Sequence, residues 1–178
     1  MEDIIKDWGY LALFLYSFGG GFVGLVVASV LSFTGTGDLN LYICMLVAGT
    51  SNFIGDQFLF YMARTNKKYA KETMKKYGRK VALAHLWMRK YGSPVVFIQK
   101  YIYGIKTLIP LAMGLTKYSF KKFTIYNAIA AALWAVVVGY ASYILGEAIL
   151  TYADEYKYYG VAIILLIVFT VSYYLRKI

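Results

Sequence analysis

Five long apolar stretches constrain the fold of this 178-residue chain more than any other feature. About 20 consecutive apolar residues are enough for an α-helix to cross a bilayer. Apolar residues make up 60% of the sequence, more than a soluble domain of this length can bury. The sequence therefore predicts an all-α polytopic membrane bundle that forms a single membrane domain over residues 1–178. The stretches are 9–33, 39–63, 93–116, 119–146 and 158–175.

Glycine, proline and lysine residues interrupt two of these stretches. Two lysines at the centre of a spanning helix would each cost about 2.5–3.5 kcal/mol. A re-entrant hairpin, which turns at glycines and returns to the same side, costs less where protein or a water-filled cavity surrounds it. We expect a hairpin for 93–116, whereas for 9–33 a hairpin, a full span and a half-helix with a hairpin stay open. The expected turn residues are Gly19, Gly20, Gly21, Gly24, Gly104, Pro110 and Gly114.

The distribution of charge supports this hairpin. Ten of the 19 Lys and Arg residues lie between Arg64 and Lys90, and loops rich in Lys and Arg remain in the cytoplasm. With 93–116 as a hairpin, the basic residues at 117–122 and 176–177 also face the cytoplasm. The acidic residues at 147–155 then face outside. The side of the N-terminus, which lacks the basic start of a signal peptide, stays open.

The basic segment 64–92 shows helical periodicity. Lysines surround an apolar stripe, which is typical of an amphipathic helix on a membrane surface. Because this segment lies between membrane-length stretches, we expect anionic lipid as its partner and no nucleic acid. The stripe comprises Tyr69, Ala70, Thr73, Met74 and Tyr77.

The interrupted and continuous stretches alternate in two halves. In residues 9–63 and again in 93–146, a broken segment precedes a long helix, and the two long helices run in opposite directions. This order is typical of an inverted-topology repeat, in which the binding site lies where the broken segments meet. The last stretch, 158–175, is a transmembrane helix outside the repeat.

Lys100 and Lys106 are the first candidate binding residues, since ionisable groups at membrane depth are usually functional. Across a turn at Gly104, the two ammonium groups can converge on an anion such as a phosphate or carboxylate headgroup. In the alternative, both side chains extend to the cytoplasmic interface.

Four further polar or aromatic residues lie within the long helices. Asp56 lies roughly 12 Å from the cytoplasmic end of its helix and is either a proton carrier or the counter-ion of a lysine. Asn52 is one turn away on the same face. Asn127 and Trp134 share a face of the last repeat helix. Asn127 either bonds the broken backbone nearby or joins helices, at about 0.6 kcal/mol.

The sequence gives little support for a metal site, an enzyme active site or a dinucleotide-binding site. Cys44 and His85 are the only cysteine and histidine, so we expect no zinc site, no catalytic residues and no cofactor. Residues 19–24 match G-x-G-x-x-G, but no βαβ unit surrounds them.

The order of these residues resembles the DedA family, also called the VTT or SNARE-associated family. The run 97–115, FIQKYIYGIKTLIPLAMGL, resembles the family's second re-entrant segment. The likeness covers about residues 9–148, and the family usually has arginine where this chain has Lys100 and Lys106. Further matches are Asp38-Leu39-Asn40, Gly55-Asp56 with Tyr61, and Phe123, Asn127 and Trp134.

The resemblance implies a transporter that flips or scrambles a phosphate-headed lipid, undecaprenyl phosphate or a phospholipid, across the cytoplasmic membrane. Protons are a candidate coupling ion. The first broken segment has no acidic residue, so Asp56 is the remaining candidate proton carrier at depth. A small-ion/proton antiporter and a non-transporting membrane scaffold are the alternatives. A homo-oligomer is compatible with this pattern.

Overall fold

The computed structural model describes residues 2–19, 21–35, 38–75, 77–102 and 106–152. These residues form eight α-helices and a 3-10 turn and contain no strand, which confirms the all-α prediction. The predicted helix 158–175 lies outside them. In chain order the elements are α1 (Glu2–Phe18), α2 (Phe22–Thr34), α3 (Leu41–Thr65), α4 (Lys67–Lys75), α5 (Gly78–Tyr91), α6 (Val95–Ile98), the 3-10 turn (Gln99–Tyr101), α7 (Leu108–Leu115) and α8 (Phe120–Tyr152).

Two helices are long and apolar enough to cross a bilayer. They are α3, over Leu41–Thr65, and α8, over Phe120–Ala148. At about 1.5 Å per residue, each exceeds the roughly 30 Å of a hydrocarbon core. They correspond to the predicted stretches 39–63 and 119–146.

The chain divides into two compact units, residues 1–51 with 135–178 and residues 52–134. Both long helices contribute to both units, because α3 passes from the first to the second after Ser51 and α8 leaves the second after Trp134. We call them the first and second units. The single membrane domain stays a prediction.

In the first unit, the stretch 9–33 forms two helices, α1 and α2, that contact each other. The Gly21 amide donates to the Tyr16 carbonyl at 3.1 Å and closes the turn between them. Gly24 lies within α2, so its assignment to the turn was wrong. A side chain at Gly21 or Gly24 would collide with the Tyr16 ring, which explains both glycines.

Helices α1, α2, α3 and α8 also meet through small residues in the first unit. Ser51 of α3 donates a hydrogen bond to the Phe14 carbonyl of α1. A Cβ added at Gly139 of α8 would collide with Met45 of α3. Such close approaches are typical of packing between membrane helices, where small residues let backbones come together.

Helix α7 is central to the second unit, since α4, α5 and α6 all contact it. Pro110 and Gly114 lie inside α7, so the prediction that they form a turn was wrong. Pro110 is in the first helical turn, where a backbone N–H has no intrahelical partner to lose. A Cβ at Gly114 would collide with the Phe60 carbonyl, so this glycine allows α7 to approach α3.

The amphipathic stripe of segment 64–92 packs partly on protein. Ala70 and Met74 of α4 are buried in a cluster with Leu111 and Ala112 of α7. Tyr69 and Tyr77 are exposed together with the lysines of α4. The apolar face of α4 therefore packs on α7 within the second unit, and its basic face is exposed.

Candidate functional site

Lys100 lies in the 3-10 turn between α6 and α7, and its side chain is completely buried. Its ammonium group donates three hydrogen bonds, to Asn52 Oδ1 at 2.6 Å, Asp56 Oδ2 at 2.7 Å and Asn127 Oδ1 at 2.8 Å. An ammonium group has three protons to donate, so Lys100 is fully satisfied. The lysine joins the turn to α3 and α8.

Asp56 is the counter-ion of Lys100. Its Oδ2 atom accepts hydrogen bonds from Lys100 and also from Gln99 Nε2 at 3.2 Å. The exposed fraction of its side chain is only 5%. Of the two predicted partners, Lys100 is the one that forms the ion pair.

Asn127 connects the same lysine to the backbone of α3. While its Oδ1 accepts from Lys100, its Nδ2 donates to the Phe53 carbonyl at 3.1 Å. The sequence suggested a bond to the broken backbone instead. Asn127 bonds the side chain of the broken segment rather than its backbone, because Lys100 extends from the 3-10 turn to α3 and α8.

Lys106 is equally buried but differently surrounded. It directly precedes Thr107, the residue at the N-cap position of α7, and it is 7% exposed. Its ammonium group lies 5.0 Å from the centre of the Trp134 ring, a cation–π distance. It has no hydrogen-bond partner among the residues that the structure describes. Neither lysine extends to the surface, contrary to the alternative prediction.

Three buried donors of the second unit lack an acceptor among the described residues. Besides Lys106 Nζ, they are Asn52 Nδ2 and Trp134 Nε1, for which the described part of the chain provides no partner. Leaving a buried donor unsatisfied costs about 1–3 kcal/mol, and more for a charged one. A group of unsatisfied donors with a positive charge is suited to bind an anion.

Some predicted residues lie elsewhere. Gly20 and Gly104 are outside the described residues, so the turn at Gly104 stays a prediction. Gly19 follows α1 and Gly21 precedes α2, at the break between them. In the described ranges, no group of three or more His, Cys, Asp or Glu side chains could hold a metal ion.

Two contacts were not predicted from the sequence. Gln99 shares Asp56 with Lys100, and its position beside Lys100 in an apolar stretch was the available signal. Arg64 donates to the carbonyl groups of Gly114, Thr116 and Tyr118 at 3.3, 2.9 and 2.6 Å. It was seen only as part of the basic segment, although it holds the C-terminal end of α7.

Comparison with known proteins identifies the family. The family model described as the VTT domain matches residues 7–144. The uncharacterized membrane protein YbfM of Bacillus subtilis is 30% identical over 150 residues, covering 77% of this chain and 90% of YbfM. Undecaprenyl phosphate transporter A of Staphylococcus aureus is 25% identical over 151 residues, covering 75% of this chain and 74% of that protein. No solved structure matches the chain.

The protein DedA of Escherichia coli is 26% identical over 125 residues, and the match covers 68% of this chain and 57% of DedA. The chain thus matches somewhat more than half of this relative's length. Several relatives are named membrane proteins, among them YbfM and the inner membrane protein YohD of Escherichia coli. Together with α3 and α8, they place the chain in the cytoplasmic membrane as a multi-pass protein. The chain belongs to the VTT-domain family, the family of DedA.

Proposed function

We propose that the chain is a transporter that moves a phosphate-headed lipid across the cytoplasmic membrane, and that Lys106 binds the headgroup. The observation that carries the proposal is the buried Lys106 ammonium, which has neither a hydrogen-bond partner nor a counter-ion within 4.0 Å among the described residues. Trp134 Nε1 and Asn52 Nδ2 provide two further donors.

A phosphate group suits these donors. Its oxygens accept several hydrogen bonds at once, and bonds between charged partners are about twice as strong as neutral ones. Relatives in Staphylococcus aureus and Bacillus subtilis are named undecaprenyl phosphate transporter A, which supports a lipid phosphate as substrate. The apolar chain of such a lipid can stay in the bilayer while the headgroup enters the protein.

The broken helices supply a route for the headgroup. Helix α6 has 4 residues and α7 has 8. At about 1.5 Å per residue, neither approaches the roughly 30 Å of a membrane core. This supports a re-entrant segment over 93–116. The break between α1 and α2 supports a second such segment and the inverted repeat, and alternating access then arises from movement of the two repeats.

Lys100 has a different role in this proposal. Its three protons are already engaged by Asn52, Asp56 and Asn127. It positions the 3-10 turn between α3 and α8, and its charge is paired with that of Asp56. We therefore assign direct contact with the headgroup to Lys106 rather than to both lysines.

The test is a headgroup-flip assay in proteoliposomes with labelled lipid phosphate. Lys106→Met removes the charge and keeps the length of the side chain. Its matched control is Lys121→Met, at an exposed lysine of α8. Loss of a charged contact worth about 1.5–3 kcal/mol predicts a roughly 10- to 150-fold lower rate for Lys106→Met and no change for the control.

The same assay separates the alternatives. A Lys106→Met protein that is folded, as judged by gel filtration and thermal unfolding, yet flips lipid at the wild-type rate contradicts the proposal. Ion-dependent pH changes in vesicles without labelled lipid would support the antiporter. Loss of function only after neutralising the exposed lysines of α4 would support the scaffold.

A further inference from the structure

The interior of the second unit contains three described charged side chains that matter for binding. Lys100 and Lys106 are cationic and Asp56 is anionic, and all three are more than nine-tenths buried. Lys106 interacts electrostatically with both of the others. The three side chains together therefore carry one net positive charge, and the unpaired ammonium of Lys106 lies beside Trp134.

The other described charged groups on neighbouring elements do not alter this balance. Arg64 of α3 is engaged with carbonyl groups at the end of α7. The described charged side chains of α4, α5 and the start of α8, Glu72 and His85 included, are exposed, and α6 and α7 contain no ionisable residue. Water and salt screen exposed charges far more than buried ones.

A net charge of one selects among anions. A singly charged headgroup makes the buried complex neutral. A doubly charged headgroup leaves one negative charge uncompensated, and an uncompensated buried charge is strongly unfavourable. The second charge is tolerated only if a proton joins the complex, either on the phosphate or on Asp56.

Phosphate esters differ in this respect. A monoester changes from one negative charge to two around a second pKa of about 6. A diester carries one charge throughout the neutral range, since it has no second proton to lose. The two classes are thus chemically close and separable by pH.

We propose that Asp56 determines which headgroup charge the site accepts. The accepted headgroup, counted with any proton that it carries, has one net negative charge. This rests on the proposed transport of lipid phosphate. A monoester enters with one proton, whereas a diester enters without one. Asp56 acts as a specificity-determining residue by cancelling the charge of Lys100, 2.7 Å away.

The experiment compares two labelled probes in proteoliposomes that contain the full chain, with equal pH on both sides. The probes are a lipid phosphate monoester and its methyl ester, with the same acyl chains and label. We expect the ratio of monoester to diester flip rates to fall about tenfold per pH unit above the second pKa of the monoester, near 6. The diester corrects for any effect of pH on the protein itself.

The variant Asp56→Asn keeps an acceptor oxygen for Lys100 and Gln99 and raises the net charge of the site to two. It should make the rate ratio independent of pH or let it rise with pH. The control Lys121→Gln removes one exposed charge of α8 and should retain the wild-type profile.

Each outcome has a distinct meaning. Wild-type protein that flips neither probe overturns the proposed function. Wild-type protein that flips both probes with a ratio independent of pH overturns the charge selection alone, whether or not Asp56→Asn folds. A folded Asp56→Asn protein with the wild-type pH profile overturns the role of Asp56.

Discussion

The Lys100 ammonium and the Asp56 carboxylate lie 2.7 Å apart, with 0% and 5% of their side chains exposed. Lys106, only six residues further along the chain, is nearly as buried and has no such partner among the described residues. The two lysines therefore have different surroundings, although the sequence does not distinguish them. Removing each of them should therefore affect stability differently.

Lys100→Met should destabilise the protein strongly. It leaves the Asp56 carboxylate buried without its cation, and breaking a buried ion pair from one side costs about 3–5 kcal/mol. Lys106→Met removes an unpaired buried charge and should leave stability unchanged or raise it. Thermal unfolding in detergent, with both variants beside the wild type, measures the difference, and a Lys100→Met protein as stable as Lys106→Met would contradict it.

The ion pair should also show strong coupling in a double-mutant cycle. Asp56→Leu alone leaves Lys100 buried without a counter-ion, whereas Asp56→Leu with Lys100→Met leaves neither charge. The double variant should therefore be less destabilised than the sum of the single variants, by about 1–3 kcal/mol. The cycle Asp56→Leu with Lys121→Met, at an exposed site, should be additive within about 0.5 kcal/mol.

Polar residues of the site could be recognised from the sequence because each interrupts an apolar stretch, and burying a polar group in a membrane costs free energy. Lys100, Lys106, Asp56 and Asn127 all stood out in this way. Their pairing could not be predicted, because it depends on how the 3-10 turn directs Lys100 between α3 and α8. Gln99 was missed since a neutral amide interrupts an apolar stretch less visibly than a charge.

Helices were predictable from apolar length, whereas the roles of glycine and proline were not. Gly24 and Gly114 provide room for Tyr16 and for Phe60 instead of forming turns. Pro110 fits the first turn of α7. The periodicity of α4 predicted the buried positions of Ala70 and Met74, whereas Tyr69 and Tyr77 of the same stripe are exposed. Periodicity alone does not say whether lipid or α7 covers an apolar face.

Arg64 should be important for stability and not replaceable by lysine. Its guanidinium group donates to three carbonyl groups at the end of α7 and lies 4.7 Å from the centre of the Phe60 ring. A lysine cannot reproduce this planar arrangement of donors. We expect Arg64→Lys to cost about 1.5–3 kcal/mol in unfolding free energy.

Arg89→Lys, at an exposed arginine of α5, is the matched control for Arg64→Lys. It should stay within about 0.5 kcal/mol of the wild type in the same unfolding measurement. Equal stability of the two variants would mean that the carbonyl contacts of Arg64 contribute nothing that water does not replace.

Gly114→Ala should separate α7 from α3. The added methyl group would lie 2.8 Å from the Ala63 Cβ and would also collide with the Phe60 carbonyl, and backbone atoms cannot move aside cheaply. Overpacking of this kind costs about 1–3 kcal/mol.

Gly78→Ala is the control, since nothing lies within 4 Å of a Cβ there. In the first turn of α5, alanine should be neutral or stabilising by up to about 1 kcal/mol. Thermal unfolding of the two variants therefore distinguishes a glycine needed for close packing from one that is not, and a Gly114→Ala protein as stable as Gly78→Ala would contradict the close approach of α7 to α3.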